Sequence, residues 1–250
     1  MTGVSRPGPA IDDARLCSGA ASPASGVLIV CGLKREASIL AGANRLSACG
    51  GGSTLKSRLL ELAASKPQLV LSWGLCGGLD PRLRPGNLVI GDEILAREER
   101  IRTDADVASA LKRRLSEAGE QVSTERFAAA EAPVLTAGQK AQLRLATGAA
   151  AVDMESLIAG RFAAELGARF AILRAVADPA ERNLPPFAAK AIDAEGRIDA
   201  RAVVLGLVRS PGQAVSLGWA ARDSGAAFAS LRRCRGLLPS VFVGLGLGDL

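Results

Sequence analysis

The chain has 250 residues, enough to bury one substantial core. Hydrophobic residues make up 48% and charged residues 22% of it, which is typical of a globular protein, and no stretch reaches the roughly 18–20 consecutive apolar residues of a membrane-spanning helix. The formal net charge of +6 would suit nucleic-acid binding, but only 3% of the residues are aromatic and the cations are spread among acids, so we expect no nucleic-acid partner.

The absence of certain residue types restricts the chemistry further. The chain contains no histidine and no tyrosine, which excludes Ser-His-Asp and Cys-His catalysis. Acid–base chemistry must then fall to Asp, Glu, Lys or Cys. The five cysteines are odd in number and form no CxxC pair, so we expect neither a disulfide framework nor a metal site.

The first predicted elements are a leader followed by alternating strands and helices. Residues 1–25 are rich in Gly, Pro, Ser and Ala and lack the apolar core of a secretory signal. They predict a disordered leader and a cytoplasmic protein. The next predicted elements, in chain order, are a buried strand at 26–32, a helix at 35–46, a helix at 53–65 with Ser53 as N-cap, and a buried strand at 68–73.

The later segments continue this alternation. They are predicted as a strand at 86–95, an amphipathic helix at 104–119 beginning near Asp104, a strand, helix and strand within 129–152, a helix at 153–166 and a buried strand at 168–180. This alternation of strands with helices predicts an α/β fold with a largely parallel sheet and helices on both faces.

Polar or glycine residues follow four of the predicted strands. They are Glu36, the glycine-rich stretch 74–78, the acidic pair Asp153 and Glu155, and Asp178. Ligands of such sheets bind at the carboxyl ends of the strands. We therefore expect these residues to meet around one ligand.

The segment "GLCGGL" (74–79) is predicted to form a tight turn after the second strand. Its glycines would also let the backbone approach an anion or a ribose closely, because they carry no Cβ atom. The segment is neither a dinucleotide-binding nor a P-loop motif.

The segment "DMES" (153–156) has two interpretations. In the first, Asp153 caps a helix and Glu155 adds favourable charge to its first turn. In the second, Glu155 accepts hydrogen bonds from two adjacent sugar hydroxyls while the thioether of Met154 lies against the sugar.

Asp178 allows two interpretations, whereas Glu36 taken by itself suggests only one. Asp178 precedes a proline, so it could simply start a turn, or it could be a buried general acid with a raised pKa. Glu36 would ordinarily be a surface charge on a helix.

Four segments together resemble the nucleoside phosphorylase/nucleosidase family that includes methylthioadenosine/S-adenosylhomocysteine nucleosidase. They are "LIVCGLKREASIL", "LSWGLCGGLDPRLRPGNLVIGD", "AVDMESLIA" and "LRAVAD", in the family's order. The resemblance implies a three-layer α/β/α fold with a central mixed, partly closed sheet. It also implies cleavage of an N-glycosidic bond and a homodimer. No cofactor is implied, although inorganic phosphate could replace water as the co-substrate.

The resemblance assigns roles to the acidic residues. It implies that Glu155, beside Met154, binds the ribose 2′- and 3′-hydroxyls, that Asp178 protonates or hydrogen-bonds purine N7, and that Glu36 orients the attacking water. It also implies a glycine-rich turn near the nucleophile and the sugar, formed by Gly74, Cys76, Gly77 and Gly78.

Two positions depart from the family's pattern. Leu75 replaces a small hydroxyl residue of the glycine-rich turn, and Ala177 replaces the serine before the acid. No base-stacking aromatic is evident in the segment 135–147. Glu36 favours water as the nucleophile because it would repel phosphate, whereas phosphorolysis would need cations such as Arg35 and Arg174.

Residues 196–238 resemble the C-terminal part of the hopanoid-associated branch of this family. This implies a catalytic domain over 26–208, a helical and apolar extension over 209–250, and adenine release from adenosylhopane. The alternatives are a methylthioadenosine/S-adenosylhomocysteine nucleosidase, a general purine nucleoside phosphorylase and a non-catalytic nucleoside-binding protein.

The same C-terminal segment carries apolar residues that can share one helical face together with several arginines. The apolar residues are Leu217, Ala221, Phe228 and Leu231. They predict either a helix that covers the core or an interfacial segment that brings the enzyme to the inner face of a membrane and a lipid-linked substrate. Residues 236–250 are apolar and are expected to line a channel or to dock on the body.

Overall fold

The computed structural model describes residues 26–40, 46–186, 193, 195–197 and 199–247. The leader predicted for residues 1–25 lies outside these residues. The strands are β1 (Val27–Cys31), β2 (Leu46–Cys49), β3 (Leu69–Gly78), β4 (Leu88–Leu95), β5 (Arg100–Arg102), β6 (Val122–Ala129), β7 (Ala151–Asp153) and β8 (Arg169–Asp178). The helices are α1 (Lys34–Ile39), α2 (Gly52–Leu62), α3 (Ala105–Glu117), α4 (Ala137–Thr147), α5 (Ser156–Leu166), α6 (Ala200–Arg209), α7 (Ala214–Arg235) and α8 (Leu238–Gly244).

The eight strands form one mixed sheet in the order β2-β1-β3-β7-β6-β4-β5, and β8 pairs with both β3 and β4. Strands β3, β7, β6, β4 and β8 therefore close into a ring, which β1 and β2 extend from β3 and β5 extends from β4. The β3–β8 and β4–β6 pairs are parallel, whereas the β3–β7 and β4–β8 pairs are antiparallel. This confirms the predicted fold, a central mixed and partly closed sheet flanked by helices.

Two apolar clusters hold the helices against the sheet. One contains side chains of α3, α7 and α8 together with Trp73 of β3. The other contains side chains of α2 and α5 together with Phe127 of β6. Asp104, predicted near the start of α3, is its N-cap and accepts a hydrogen bond from the N–H of Val107 at 3.0 Å. Its carboxylate also pairs with Arg169 at the start of β8.

The C-terminal segment docks on the body. Phe228 and Leu231 of α7 and Phe242 of α8 are buried in the first cluster, as the interpretation of a core-covering helix predicts. Ala221, on the same face seven positions before Phe228, is exposed, because the N-terminal half of α7 is largely uncovered. The predicted domain boundary after residue 208 falls inside α6 and stays a prediction.

The predictions of one turn, one helix and one strand need correction. The stretch 74–78 is not a turn: it continues β3, because the backbone keeps pairing with β8 up to Gly77 and with β7 at Gly77 and Gly78. The helix predicted over 35–46 is short, since α1 ends at Ile39 and Leu46 begins β2, which pairs with β1. The strand predicted at the start of 129–152 lies earlier, as β6.

Two predicted helix starts are also wrong. The N-cap of α2 is Gly51 and not Ser53. Helix α5 begins at Ser156 with Glu155 at its N-cap position, whereas Asp153 is the last residue of β7. None of the described helices is both long enough and apolar enough to span a membrane.

Candidate active site

A cavity of about 520 Å³ opens where β1, β3, β7 and β8 end. Glu36, Glu155 and Asp178, predicted from distant parts of the sequence, all line it. Met154, Cys76 and Gly77 line it as well, whereas Gly74 and Gly78 do not. Gly77 lies between its pairing partners Asp178 on β8 and Val152 on β7, which places Asp178 beside the glycine-rich part of β3.

Glu36 lies in the first turn of α1 and is buried. Its Oε2 atom accepts hydrogen bonds from the backbone N–H groups of Gly32 at 2.9 Å and Leu33 at 2.8 Å. Its Oε1 atom accepts one from the N–H of Leu75 at 2.8 Å. The carboxylate thus joins the end of β1 to β3, which is the opposite of a solvated surface charge.

Two glycines make room for the two glutamates. Gly74 has φ +145°, and a Cβ atom there would lie 2.5 Å from the carboxyl carbon of Glu36. A Cβ atom at Gly32 would lie 2.6 Å from Oε1 of Glu155. Any side chain at either position would displace a glutamate carboxylate, so Gly74 belongs to the site although it does not line the cavity.

Arg174, in the middle of β8, connects the acidic groups from beneath the cavity. Its guanidinium is buried and lies 3.0 Å from Oε2 of Glu155 and 2.9 Å from Oδ2 of Asp153. It also donates hydrogen bonds to the Ser72 hydroxyl at 2.7 Å and to the Leu75 carbonyl at 3.0 Å. Because these contacts turn the guanidinium towards the protein, Arg174 organises the site, while the other predicted cation, Arg35, is exposed and lies over the Phe228 ring.

In the segment "DMES", Asp153 supports the start of α5, whereas Glu155 lines the cavity. Oδ1 of Asp153 accepts a hydrogen bond from the N–H of Ser156 at 3.2 Å, and the Ser156 hydroxyl donates to Oδ2. Asp153 therefore satisfies the first turn of α5 from its position in β7. Glu155 makes no side-chain cap of this helix, so its carboxylate remains directed at Arg174 and the cavity.

Burial perturbs both glutamates. It raises the pKa of Glu155 to about 7, opposed by Arg174 and reinforced by the neighbouring carboxylates of Asp153 and Glu36. Burial also raises the pKa of Glu36, opposed by Arg174 and by the three backbone N–H groups. Burial raises the pKa of the Cys76 thiol as well, which makes this cysteine an unreactive wall of the cavity.

Asp178 ends β8 and pairs with a residue that sequence reasoning missed. The Nζ atom of Lys140, on α4, lies 2.6 Å from Oδ2 of Asp178. Oδ1 of Asp178 is buried and accepts no hydrogen bond from any described residue. Burial raises the pKa of Asp178 to about 6, opposed by the charge of Lys140. Lysine is common on helix surfaces, so nothing local in the sequence singled out Lys140.

The rest of the cavity wall is mainly apolar. No aromatic residue of the described part of the chain lines it. The apolar lining residues beyond β3 are Leu33, Ala130, Ala132, Pro133, Val134, Val152, Ala177 and Leu184. The described residues hold no cluster of metal-ligating side chains, and the four described cysteines are free.

A family profile matches the larger part of the chain. The profile described as the Phosphorylase superfamily matches residues 46–209. The chain belongs to the Phosphorylase superfamily. This membership confirms the prediction of a nucleosidase- or phosphorylase-type enzyme.

Solved structures share the superfamily fold at low sequence identity. The 5′-methylthioadenosine/S-adenosylhomocysteine nucleosidase of Neisseria meningitidis is 18% identical with a TM-score of 0.56, and the alignment covers 83% of this chain and 97% of that one. The corresponding nucleosidase of Helicobacter pylori is 13% identical with a TM-score of 0.58, covering 83% and 96%.

Futalosine hydrolase of Helicobacter pylori, at 15% identity and a TM-score of 0.56, covers 83% of this chain and 96% of its own. These likenesses concern the fold. A comparison with curated protein sequences finds no match.

Proposed function

We propose that this Phosphorylase superfamily member hydrolyses the N-glycosidic bond of a 5′-modified adenosine and that its substrate is adenosylhopane. The observation that carries the bond cleavage is the meeting of Glu36, Glu155 and Asp178 around one cavity. Carboxyl groups there can serve both ends of the reaction, since the sugar gains positive charge and the purine gains negative charge as the bond breaks.

Asp178 serves the purine. The raised pKa of Asp178, about 6, leaves a fraction of this carboxyl protonated near neutral pH, and the protonated form can transfer its proton to purine N7. The O–H bond of the carboxyl breaks, the N7–H bond forms, and the electron pair of the C1′–N9 bond moves onto the purine. Adenine leaves as a neutral base.

Glu155 and Glu36 serve the sugar. Glu155, oriented by Arg174, accepts hydrogen bonds from the 2′- and 3′-hydroxyls and steadies positive charge on the ribose. Glu36, whose raised pKa suits a base, takes a proton from the water that attacks C1′.

Water is favoured over phosphate by the position of Glu36. The backbone N–H groups of Gly32, Leu33 and Leu75 form a cradle of donors that would suit an anion, and the Glu36 carboxylate occupies it. A phosphate dianion would have to displace that carboxylate and approach Glu155 as well. We therefore expect hydrolysis.

The identity of the 5′ substituent rests on two supports. Residues 196–238 resemble the hopanoid-associated branch, and the cavity wall is mainly aliphatic, as a hydrocarbon substituent requires. We also propose a homodimer, as the family resemblance implies, and a peripheral contact with the inner face of the membrane, where a lipid substrate such as adenosylhopane would reside.

Methylthioadenosine is the second candidate substrate. The same aliphatic wall would accept its short methylthio group, and nucleosidases for methylthioadenosine share this fold.

The test is adenine release by the purified protein from adenosylhopane in detergent micelles, from methylthioadenosine and from S-adenosylhomocysteine, each with and without phosphate. We expect release from adenosylhopane to be fastest, to be unaffected by phosphate and to yield a free sugar. A sugar 1-phosphate as product would overturn hydrolysis, and faster release from methylthioadenosine would overturn the lipid substrate.

A matched pair of variants separates catalysis from binding. We expect Asp178→Asn to lose activity, since an amide cannot donate the proton, whereas the exposed Glu165→Gln should behave as wild type. Absence of adenine release from every substrate by wild type, together with measurable nucleoside binding, would establish a non-catalytic nucleoside-binding protein.

A further inference from the structure

The helix α4 buries a charged residue where an apolar one would be expected. Of its eleven residues, Lys140 is the one that is buried, and its side chain has no exposed surface. An ammonium group in a protein interior requires several partners, because removing it from water is costly. Its partners therefore show what the group is for.

All three N–H groups of the Lys140 ammonium have partners at the end of β8. One faces Oδ2 of Asp178 at 2.6 Å, and the others donate to the carbonyls of Pro179 at 2.8 Å and Arg182 at 2.9 Å. The three contacts fix the ammonium at one point beside the Asp178 carboxyl. These charge-assisted hydrogen bonds fix the orientation of the ammonium as well as its position.

The start of α4 is held in place independently of this pair. Thr136 and Gln139 form a capping box, with Thr136 accepting from the Gln139 N–H. The N–H of Ala137 donates to the side chain of Asn183 at 2.8 Å, and the N–H of Leu184 donates to the carbonyl of Leu135 at 2.8 Å. The segment after β8 and the start of α4 thus form one unit that presents Lys140 to Asp178.

We propose that Lys140 is a positioning residue for Asp178, which holds the carboxyl in its reactive orientation and supplies the counter-charge for the carboxylate that remains after proton transfer. This inference rests on the proposed function of Asp178. When Asp178 gives its proton to the purine, the carboxylate it becomes lies in a buried site. The ammonium 2.6 Å away stabilises this anion and so favours the transfer.

The electrostatics of the pair agree with this role. Burial raises the pKa of Asp178, and the charge of Lys140 is the largest opposing influence. Burial lowers the pKa of Lys140, and Asp178 opposes that shift. The groups that face the pair are Glu181, Arg182 and Asp223, of which Asp223 raises the pKa of Asp178 and Arg182 lowers it. Loss of the Lys140 charge must therefore raise the pKa of Asp178 further.

The experiment is the pH profile of kcat/KM for adenine release by wild type, Lys140→Gln and Lys140→Arg. Glutamine keeps hydrogen-bond donors but loses the charge, whereas arginine keeps the charge. In wild type, activity should fall as pH rises through the pKa of Asp178, because only the protonated carboxyl can donate.

For Lys140→Gln we expect this fall to move to higher pH by about one unit or more, since removing an adjacent opposite charge shifts a carboxyl pKa by about that much. We expect the maximum of the profile to drop by about 10- to 100-fold. For Lys140→Arg the fall should stay close to its wild-type position.

A cycle with Asp178→Asn distinguishes positioning from a general structural role. If Lys140 acts through Asp178, Lys140→Gln changes kcat little in the Asp178→Asn background. A Lys140→Gln profile that keeps the wild-type pH dependence, or an equal loss of kcat in both backgrounds, would overturn the proposal.

Two further measurements keep the inference separate from the proposed function. If wild type releases no adenine, the proposed function fails, and the pair is tested by carbon-13 NMR titration of Asp178 in wild type and Lys140→Gln. If neither Lys140 variant folds, titration of carbon-13-labelled lysine in wild type and Asp178→Asn tests whether Lys140 and Asp178 interact. A Lys140 pKa that does not fall in Asp178→Asn overturns the pairing.

Discussion

Arg174 Nη1 lies 3.0 Å from Oε2 of Glu155, and the same guanidinium lies 2.9 Å from Oδ2 of Asp153. One buried cation therefore contacts two buried carboxylates and orients the one that faces the cavity. Its removal should leave uncompensated negative charge in the interior.

We expect Arg174→Met to lower the free energy of unfolding by about 3–5 kcal/mol at pH 7, because it breaks a buried ion-pair network from one side. The loss should shrink as pH falls, since Glu155, whose pKa is raised to about 7, can then take up a proton. Chemical denaturation between pH 5 and 8 measures this, with exposed Arg113→Met as the control. A loss independent of pH would contradict the charge argument.

Glu155→Gln tests the ribose contact. A hydrogen bond to a charged group is worth about 1.5–3 kcal/mol, so kcat/KM for the ribonucleoside should fall by roughly 10- to 100-fold. The fall should be smaller for the 2′-deoxy analogue, which lacks one of the two hydroxyls. Steady-state kinetics with both substrates check this. The substitution Glu165→Gln on the exposed face of α5 is the matched control. Equal losses of kcat/KM on both substrates would show that Glu155 does not bind the two ribose hydroxyls.

Gly74→Ala should disable the site through Glu36. The added Cβ atom would lie 2.5 Å from the Glu36 carboxyl carbon at a backbone φ of +145°. A side chain at such a φ costs about 1–3 kcal/mol by itself. Gly119→Ala, at φ +79° with no atom within 4 Å of the added Cβ, carries backbone strain without the collision.

The expected outcome is a larger fall in melting temperature for Gly74→Ala than for Gly119→Ala, and a loss of adenine release in Gly74→Ala alone. Similar melting temperatures together with full activity in both variants would show that Glu36 need not sit where the structure places it.

Asp178 should make stability depend on pH in the direction opposite to an ordinary salt-bridged carboxylate. Its pKa is raised from 3.8 to about 6, so the folded state binds this proton more tightly than the unfolded state. Its contribution to stability is complete below about pH 4 and is lost as pH rises through about 6, with a magnitude on the order of 3 kcal/mol.

Comparison of wild type with Asp178→Asn by denaturation at pH 4 to 7 tests this, and the difference in unfolding free energy should decrease with rising pH. Asp104→Asn is the control of opposite sign, because hydrogen bonding to Arg169 lowers the pKa of Asp104, and its contribution is lost as pH falls. Parallel behaviour of the two variants would contradict the raised pKa.

Phe228→Ala tests how the C-terminal helix contributes to the fold. Phe228 is buried in the same cluster as Trp73, so truncation should cost about 3–5 kcal/mol of unfolding free energy. Val215 on the same helix is 69% exposed, and Val215→Ala should change stability by no more than about 0.5 kcal/mol. A near-neutral Phe228→Ala would show that residues 209–250 are a separable appendage.

The sequence by itself determined the α/β class, and its resemblance to a known family pointed to the three acidic residues of the candidate site. The apolar runs at 27–31 and 169–178 are buried on both faces, so their strand character could be read locally, and each polar residue that followed a strand was visible as an interruption of the apolar pattern.

Only the tertiary structure decided what the glycines and the cations do. The stretch 74–78 looked like a turn, and it is a strand because β8 and β7 pair with it, which no local pattern encodes. Lys140 and Asp178 are 38 positions apart, and Arg174 is joined to Glu155 across two elements. Pairings of buried charges depend on which segments the fold brings together, and that information is distributed over the whole chain.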